Sequence, residues 1–245
     1  MLNLPTNVTC DPETHRYFVD GVEYESVTAL INRFNPAFAA EECAARLAKT
    51  EAGKEALLQQ WEAQGKHTRA VGTAVHEGLQ HYVWHGKRRE VDLTGPTEIL
   101  QTIQGGIAFL TDHPYLKPVA TEQRIAHPKY RVAGTFDYLG INEDVYYLID
   151  WKTSGHINYL GYERMYPPLD RLMSDTFTTY SLQLGVYEKL LKDGHDIVVS
   201  KKWIVQVFPN GAYDIHEATE LPIFVDALLA NARSRPEGET DRGPS

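Results

Sequence analysis

Hydrophobic and polar positions first alternate at residues 15–27, where Tyr17-Phe18-Val19 and Val22-Glu23-Tyr24 flank Asp20-Gly21. That pair suits the positive φ values of a type I′ turn, so a β-hairpin is predicted. Ser26 is placed to cap a short helix over 27–31, which Asn35-Pro36 ends. Between 38 and 64, good helix formers dominate and predict a helical arm interrupted near Gly53. From 71 to 84, Val71, Val75, Leu79, Tyr82 and Val83 recur at helical spacing, with His76 near the start of that helix and Gly86 as its stop. A further helix is predicted over 96–110, although Gly105-Gly106 weakens its propensity.

Three strands follow at 119–126, 131–141 and 145–150, with Asn142-Glu143-Asp144 as the tight turn between the last two. The third strand, Val145 through Ile149, is apolar on both faces, which is the pattern of a central strand. Residues 155–178 have no periodicity and read as an ordered insertion. A helix over 180–191, strands over 197–208 and 212–216 about an Asn210-Gly211 turn, and a helix over 221–232 complete the pattern. The stretch 234–245 has no apolar residue and is predicted to be disordered. The order of elements predicts an α/β fold in three parts: a hairpin and arm over 1–69, a core over 70–233, and the tail over 234–245.

With 245 residues, 42% of them hydrophobic, the chain can bury a full core. Its net charge of −9 excludes a broadly basic nucleic-acid coat, so any groove for phosphates has to be local. Two cysteines, Cys10 and Cys43, are too few for a disulfide framework or a four-thiolate metal site, and read as structural thiols. No run of eighteen apolar residues and no secretory leader pattern is present, which predicts a cytoplasmic protein with no membrane partner.

The candidate chemistry begins at Leu148-Ile149-Asp150-Trp151-Lys152-Thr153. Side chains alternate along a strand, so Asp150 and Lys152 point to one spot, where the acid suits a divalent metal and the ammonium suits a phosphate or attacking water. The plainer alternative is an ion pair at a strand end. Asp137, thirteen residues earlier on the preceding strand, can face Asp150. Two carboxylates about 4 Å apart repel by on the order of 4 kcal/mol at an effective dielectric near 20, so a cation between them is the natural compensation. The alternative for Asp137 is a surface bridge to Lys129 or Arg131. Gln183 and Tyr187, four apart, share a helix face on which they can hold a phosphate or position Lys152, or simply pack.

The ordered series Gly72-Thr73-Ala74-Val75-His76, Gly134-Thr135-Phe136-Asp137, Asp150-Trp151-Lys152-Thr153 and Gln183-Leu184-Gly185-Val186-Tyr187 resembles the motifs of the RecB-type branch of the PD-(D/E)XK nuclease superfamily. Residues 22–31 also resemble the N-terminal segment of phage-encoded exonucleases and of the mitochondrial genome maintenance exonuclease. The resemblance implies a restriction-endonuclease-like core with a central mixed β-sheet flanked by helices. It also implies an Mg2+ or Mn2+ ion bound by His76, Asp137, Asp150 and the backbone carbonyl of Trp151, with Lys152 catalytic. Glu122 is a further acid at a place where several relatives carry one. Many relatives have a Glu four residues after the motif histidine where this chain has Gln80, so that charge is absent here or passes to Glu77. His81 follows His76 at i+5 rather than i+4, which excludes the zinc-protease helix, and His81 and His85 read as solvated or capping residues.

These readings combine into a metal-dependent DNA exonuclease acting on single strands or DNA ends, in phage or bacterial recombination, repair or degradation, with a recombination or replication protein as a possible partner. For a phage-encoded protein the compartment is the host cytoplasm. The alternatives are a non-catalytic nucleic-acid-binding module of the same fold and a structure-specific endonuclease. Lys66, Arg69, Lys129, Arg131, Lys201 and Lys202 are candidate phosphate contacts, and Tyr159, Tyr162 and Tyr166 are candidate base-stacking residues. The insertion at 155–178 and the arm at 38–64 are expected to form a gate over the metal site.

Overall fold

The structure, a computed structural model, describes residues 7–11, 14–86, 96–153 and 155–233. The segment 234–245 predicted to be disordered lies outside them. Three short strands open the fold: β1 (Val8–Cys10), β2 (Tyr17–Val19) and β3 (Val22–Ser26), all antiparallel neighbours. Asp20 and Gly21 both take positive φ, 51° and 81°, as the type I′ turn requires. The Ser26 side chain accepts a hydrogen bond from the Ala29 N–H and starts α1 (Val27–Asn32). Strand β1 is too short to carry an alternation that sequence could reveal.

After α2 (Ala40–Leu47) comes α3 (Glu51–His85), 35 residues without a break. This corrects two expectations. The interruption falls at Ala48–Thr50, where the Thr50 side chain caps α3, and Gly53 sits inside its first turn. Arm and core are also one helix, so His76 lies in its last third rather than near a start. A glycine in a helix interior costs roughly 1 kcal/mol relative to alanine, which packing outweighs here. Helix α4 (Thr97–Asp112) crosses α3 so closely that a Cβ on Gly78 would sit 2.5 Å from Ile103, and one on Gly106 would sit 2.5 Å from Leu79. Of the Gly105-Gly106 pair that weakens the propensity of α4, Gly106 allows that approach, and Gly105 lets the backbone at Ala212 come equally close.

Strands β4 (Lys117–His127), β5 (Val132–Asn142) and β6 (Val145–Lys152) follow, then α5 (Thr176–His195), β7 (Val199–Val207), β8 (Tyr213–Glu217) and α6 (Pro222–Arg233). The start of α5 is four residues earlier than periodicity predicts. Thr176, Phe177, Thr178 and Thr179 are poor helix formers, but the Asp175 side chain caps the helix by accepting from the Thr178 N–H. The sheet is mixed and has eight strands in the order β1-β2-β3-β5-β6-β7-β8, with β4 antiparallel on β5; β3–β5 and β6–β7 are parallel. Helices flank it. One core layer joins Leu30, Ile31, Leu182, Val186, Leu190 and Leu228 to the sheet, and the other joins Val71, Val75, Leu79, Ile103 and Phe109. Each such side chain contributes roughly 1.5–3 kcal/mol by leaving water. No helix among the described residues is long and apolar enough to cross a membrane.

Candidate metal centre

The site forms where two strands part. Pairing of β5 with β6 runs from Asn142↔Val145 to Tyr138↔Ile149, whereas β6 stays paired with β7 as far as Lys152↔Gln206. At the fork, the N–H of Trp151 donates to Asp137 Oδ2 at 2.7 Å, so a side chain takes the place of a ladder carbonyl. Trp151 packs on the opposite face against Phe109 and Tyr138, which fixes the alternation that sends Asp150 and Lys152 together to the other side. Asp150 Oδ2 and Lys152 Nζ lie 2.6 Å apart, and Asp150 is 3% exposed. The ion pair anticipated as the plainer reading therefore exists, but buried and beside a second acid. Asp137 is itself buried and faces Trp151 and His76 rather than the surface.

Helix α3 brings His76 to this fork. Its Nδ1 lies 3.0 Å from Glu122 Oε1 and 3.5 Å from Asp137 Oδ1. One ligand atom from each of His76, Glu122 and Asp137 lies within 4.8 Å of the others, a spacing that can hold a metal ion. Glu122 thus joins the cluster, while Asp150 is drawn to Lys152 and stands outside that group of three. Glu122 reaches inward because its backbone leaves the strand conformation: its φ is 46°, in the left-handed region that non-glycine residues seldom enter. The preceding residue is gripped from α3, where Gln80 Nε2 donates to the Thr121 carbonyl at 3.3 Å and Trp84 Nε1 to Thr121 Oγ1 at 2.6 Å. His76, Gln80 and Trp84 are spaced four apart on one face of the helix, so position 80 carries a brace rather than a charge. Glu77 points outward and takes over no such charge.

The electrostatics show a site short of positive charge. Burial alone would lower the pKa of His76, but Asp137 and Glu122 outweigh it and raise it to about 9. Burial pushes Asp150 up to about 6 against the pull of Lys152, and pushes Asp137 up against the pull of His76. Burial opposes the charge on Lys152 too, yet Asp150 and Asp137 hold its pKa above the ordinary value, so it is an ammonium at neutral pH. The proton on His76 occupies a charge position that a divalent cation would fill. Carboxylate oxygens with one imidazole are a donor set that can hold a divalent metal ion.

Tyr187 is buried on α5 and is hydrogen-bonded to the half-buried Gln183, one turn before it. Tyr187 lies over Gly134, where a Cβ would come within 2.7 Å of its ring, and burial raises its phenol well above the usual range. Sequence reading missed two neighbours. Tyr180 has its ring centroid 4.3 Å from Lys152 Nζ and could have been found by its i, i+3, i+7 spacing with Gln183 and Tyr187. Trp84 could have been found by the same reasoning from His76 and Gln80.

The peripheral candidates divide. Lys202 is 3% exposed and paired with Glu188 and Glu220, so it is not available to a phosphate. Lys201 pairs with Glu217 at 2.8 Å and Lys66 with Glu62 at 2.6 Å, and Lys129 lies over the Tyr130 ring. Arg69 is exposed on α3, seven residues before His76 and hence on the same face. His81 and His85 pack against each other with their rings tilted by 45°, outside the cluster. Cys10 and Cys43 are free thiols. The insertion is not a free gate, since Ile157, Met165 and Leu169 anchor it in the core.

No protein-family profile matches the chain, and no curated protein matches it. Among solved structures, it is similar to a candidate exonuclease from Eubacterium rectale, with 14% identity, 85% of this chain and 77% of that chain covered, and a TM-score of 0.46. It is also similar to the protein SSO0001, with 17% identity, 66% and 73% covered, and a TM-score of 0.32.

Proposed function

We propose that the chain is a metal-dependent nuclease of the PD-(D/E)XK type that hydrolyses phosphodiester bonds in DNA, acting as an exonuclease on single strands or ends. The observation that carries this reading is the convergence of His76, Glu122 and Asp137 at a strand fork beside the buried Asp150–Lys152 pair. His76, Glu122 and Asp137 would hold the ion, Mg2+ or Mn2+, with Asp150 and the Trp151 carbonyl as further oxygen donors. When bound, the ion supplies Lewis acidity and lowers the pKa of a water molecule. Lys152, being charged, serves as a cation that orients the phosphate or attacking water and offsets the negative charge that builds on phosphorus-bound oxygens; it is not a general base. Tyr187, hydrogen-bonded to Gln183, backs the Asp137 and Asp150 side of the site, and Arg69, exposed on the same face of α3 as His76, is our candidate contact for a further phosphate.

End-labelled linear and circular single-stranded DNA, incubated with Mg2+ or Mn2+, test this directly. Loss of linear strands only, stopped by EDTA, is the expected result. Cut circles would make the enzyme an endonuclease, and intact DNA under both metals would end the nuclease reading.

The grip on Thr121 leads to a second expectation. A left-handed residue costs of order 1–3 kcal/mol and persists only when its surroundings hold it. Trp84→Phe keeps an aromatic ring but removes the indole donor, so Glu122 is expected to relax and Mn2+ to bind roughly 10-fold more weakly, as for other residues that orient metal ligands. Calorimetric titration with Mn2+ measures this, and unchanged affinity would show that the brace is dispensable.

A further inference from the structure

A cavity of about 280 Å³ is separated from Lys152 by Tyr180, which lines its wall and is in contact with the lysine. Building on the nuclease reading, we propose that this cavity receives one unpaired nucleobase of the substrate strand, with Tyr162 as the stacking platform. Its volume lies just under the roughly 300–1,000 Å³ of small-molecule sites, which leaves space for one planar ring system but not for a dinucleotide. The one ionisable carboxylate in its lining is Asp175, and no Lys or Arg lines it among the described residues. A phosphate is therefore the wrong occupant, and an uncharged ring the right one.

Tyr162 is 101% exposed and Leu160 beside it 84% exposed, at the rim of this cavity. Large apolar groups displayed together at a concave site mark a place where something docks. The display is held in place beforehand. Asn158 N–H donates to Thr176 Oγ1 at 2.7 Å, Phe177 N–H to the Asn158 carbonyl at 3.0 Å, and Ser174 N–H to the Glu163 carbonyl at 2.8 Å. Gly161 is pressed so close to Ser174 that a Cβ would meet its carbonyl oxygen at 2.7 Å. Tyr159, by contrast, is committed to Phe177 and His216, so Tyr162 is the platform the loop offers.

Most of the polar lining is already engaged within the protein. Asn35 bonds to Thr179 and Ser174, and both Asp175 oxygens accept from Thr178. Little remains to read the edge of a base, so recognition is by stacking and tolerant of sequence. A base can enter only when unpaired, which assigns the enzyme a single strand or a frayed end rather than a blunt duplex.

The test uses the full chain with Ca2+, which allows binding without turnover, and fluorescence anisotropy of labelled homo-oligonucleotides. Tyr162→Ala is expected to weaken oligothymidylate binding roughly 10-fold, and oligodeoxycytidylate by a similar factor, as alanine substitution of a stacking aromatic does elsewhere. Tyr162→Trp restores affinity, and blunt duplex binds both proteins alike. Because Tyr162 is on the surface, its loss does not threaten folding, and hydrolysis of bis(p-nitrophenyl) phosphate, which has no base, stays at the wild-type rate with Mn2+. Unchanged oligonucleotide affinity in Tyr162→Ala, with hydrolysis intact, overturns the subsite and leaves the nuclease reading standing. A wild-type protein that hydrolyses neither substrate, yet binds single strands in a Tyr162-dependent way, ends the nuclease reading and keeps the subsite.

Discussion

Lys152→Ala is expected to lower phosphodiester hydrolysis by roughly 10²–10³-fold, the usual cost of deleting one charge-stabilising group, while Mn2+ still binds. Asp137→Asn is expected to lose both. The difference follows from position. Asp137 faces His76 across 3.5 Å in the cluster that can hold the ion, whereas the nearest acid to Lys152 is Asp150, at 2.6 Å. Losing a ligand removes a Lewis acid worth several kcal/mol, hence about 10³-fold or more in rate. Single-turnover hydrolysis of labelled DNA, paired with Mn2+ titration of each variant, separates the two roles. If Lys152→Ala loses metal as completely as Asp137→Asn, the lysine is part of the binding site and its catalytic assignment fails.

The second large effect is on stability. Asp150 is held at about 6 in the folded chain, above its ordinary 3.8, so its contribution to stability is fully present below pH 4 and lost as pH rises to 6. His76 is raised from 6.5 to about 9, so its contribution is present below pH 6.5 and lost as pH rises to 9. Both act in one direction: the metal-free protein weakens from pH 4 to pH 9, by on the order of 3 kcal/mol for each group. A divalent ion takes over the role of the departing protons. The difference in Tm between excess Mg2+ and EDTA is therefore expected to be small at pH 5 and to widen steadily toward pH 9. Thermal unfolding across that range measures it, and a constant difference would mean that these protons and the metal do not compete.

Parts of this site could be read from the sequence because they obey a simple period. Asp150 and Lys152 share a face because strands alternate, and Asp137 precedes them across a tight turn, so their nearness followed from three residue numbers. The central place of β6 followed likewise from an apolar run. Glu122 is different. Its side chain reaches His76 only because its φ is positive, and no alternation rule predicts a departure that Gln80 and Trp84, some forty positions away, hold in place. Lys202 illustrates the reverse error. In Ser200-Lys201-Lys202-Trp203 either lysine could face inward, and only Glu188 and Glu220 decide which one does. The unbroken α3 was hidden because its glycines weaken the helix locally, while the contact that compensates at Gly78 comes from Ile103 of α4, distant in sequence.

That continuity sets a rule for changes in length. The only buried residues of α3 are Val71, Val75 and Leu79, so the core clamps the end that carries His76, and the stretch from Glu51 to Ala70 projects from it. A helix advances about 100° per residue, so one residue inserted between Gly65 and Ala70 would swing the arm about 100° around the helix axis, while His76 stayed in place. Four inserted residues would bring it to within about 40° of its first bearing, and seven to within about 20°. The direction of the arm is thus stored as a phase angle, and length changes that keep its bearing must come in whole turns.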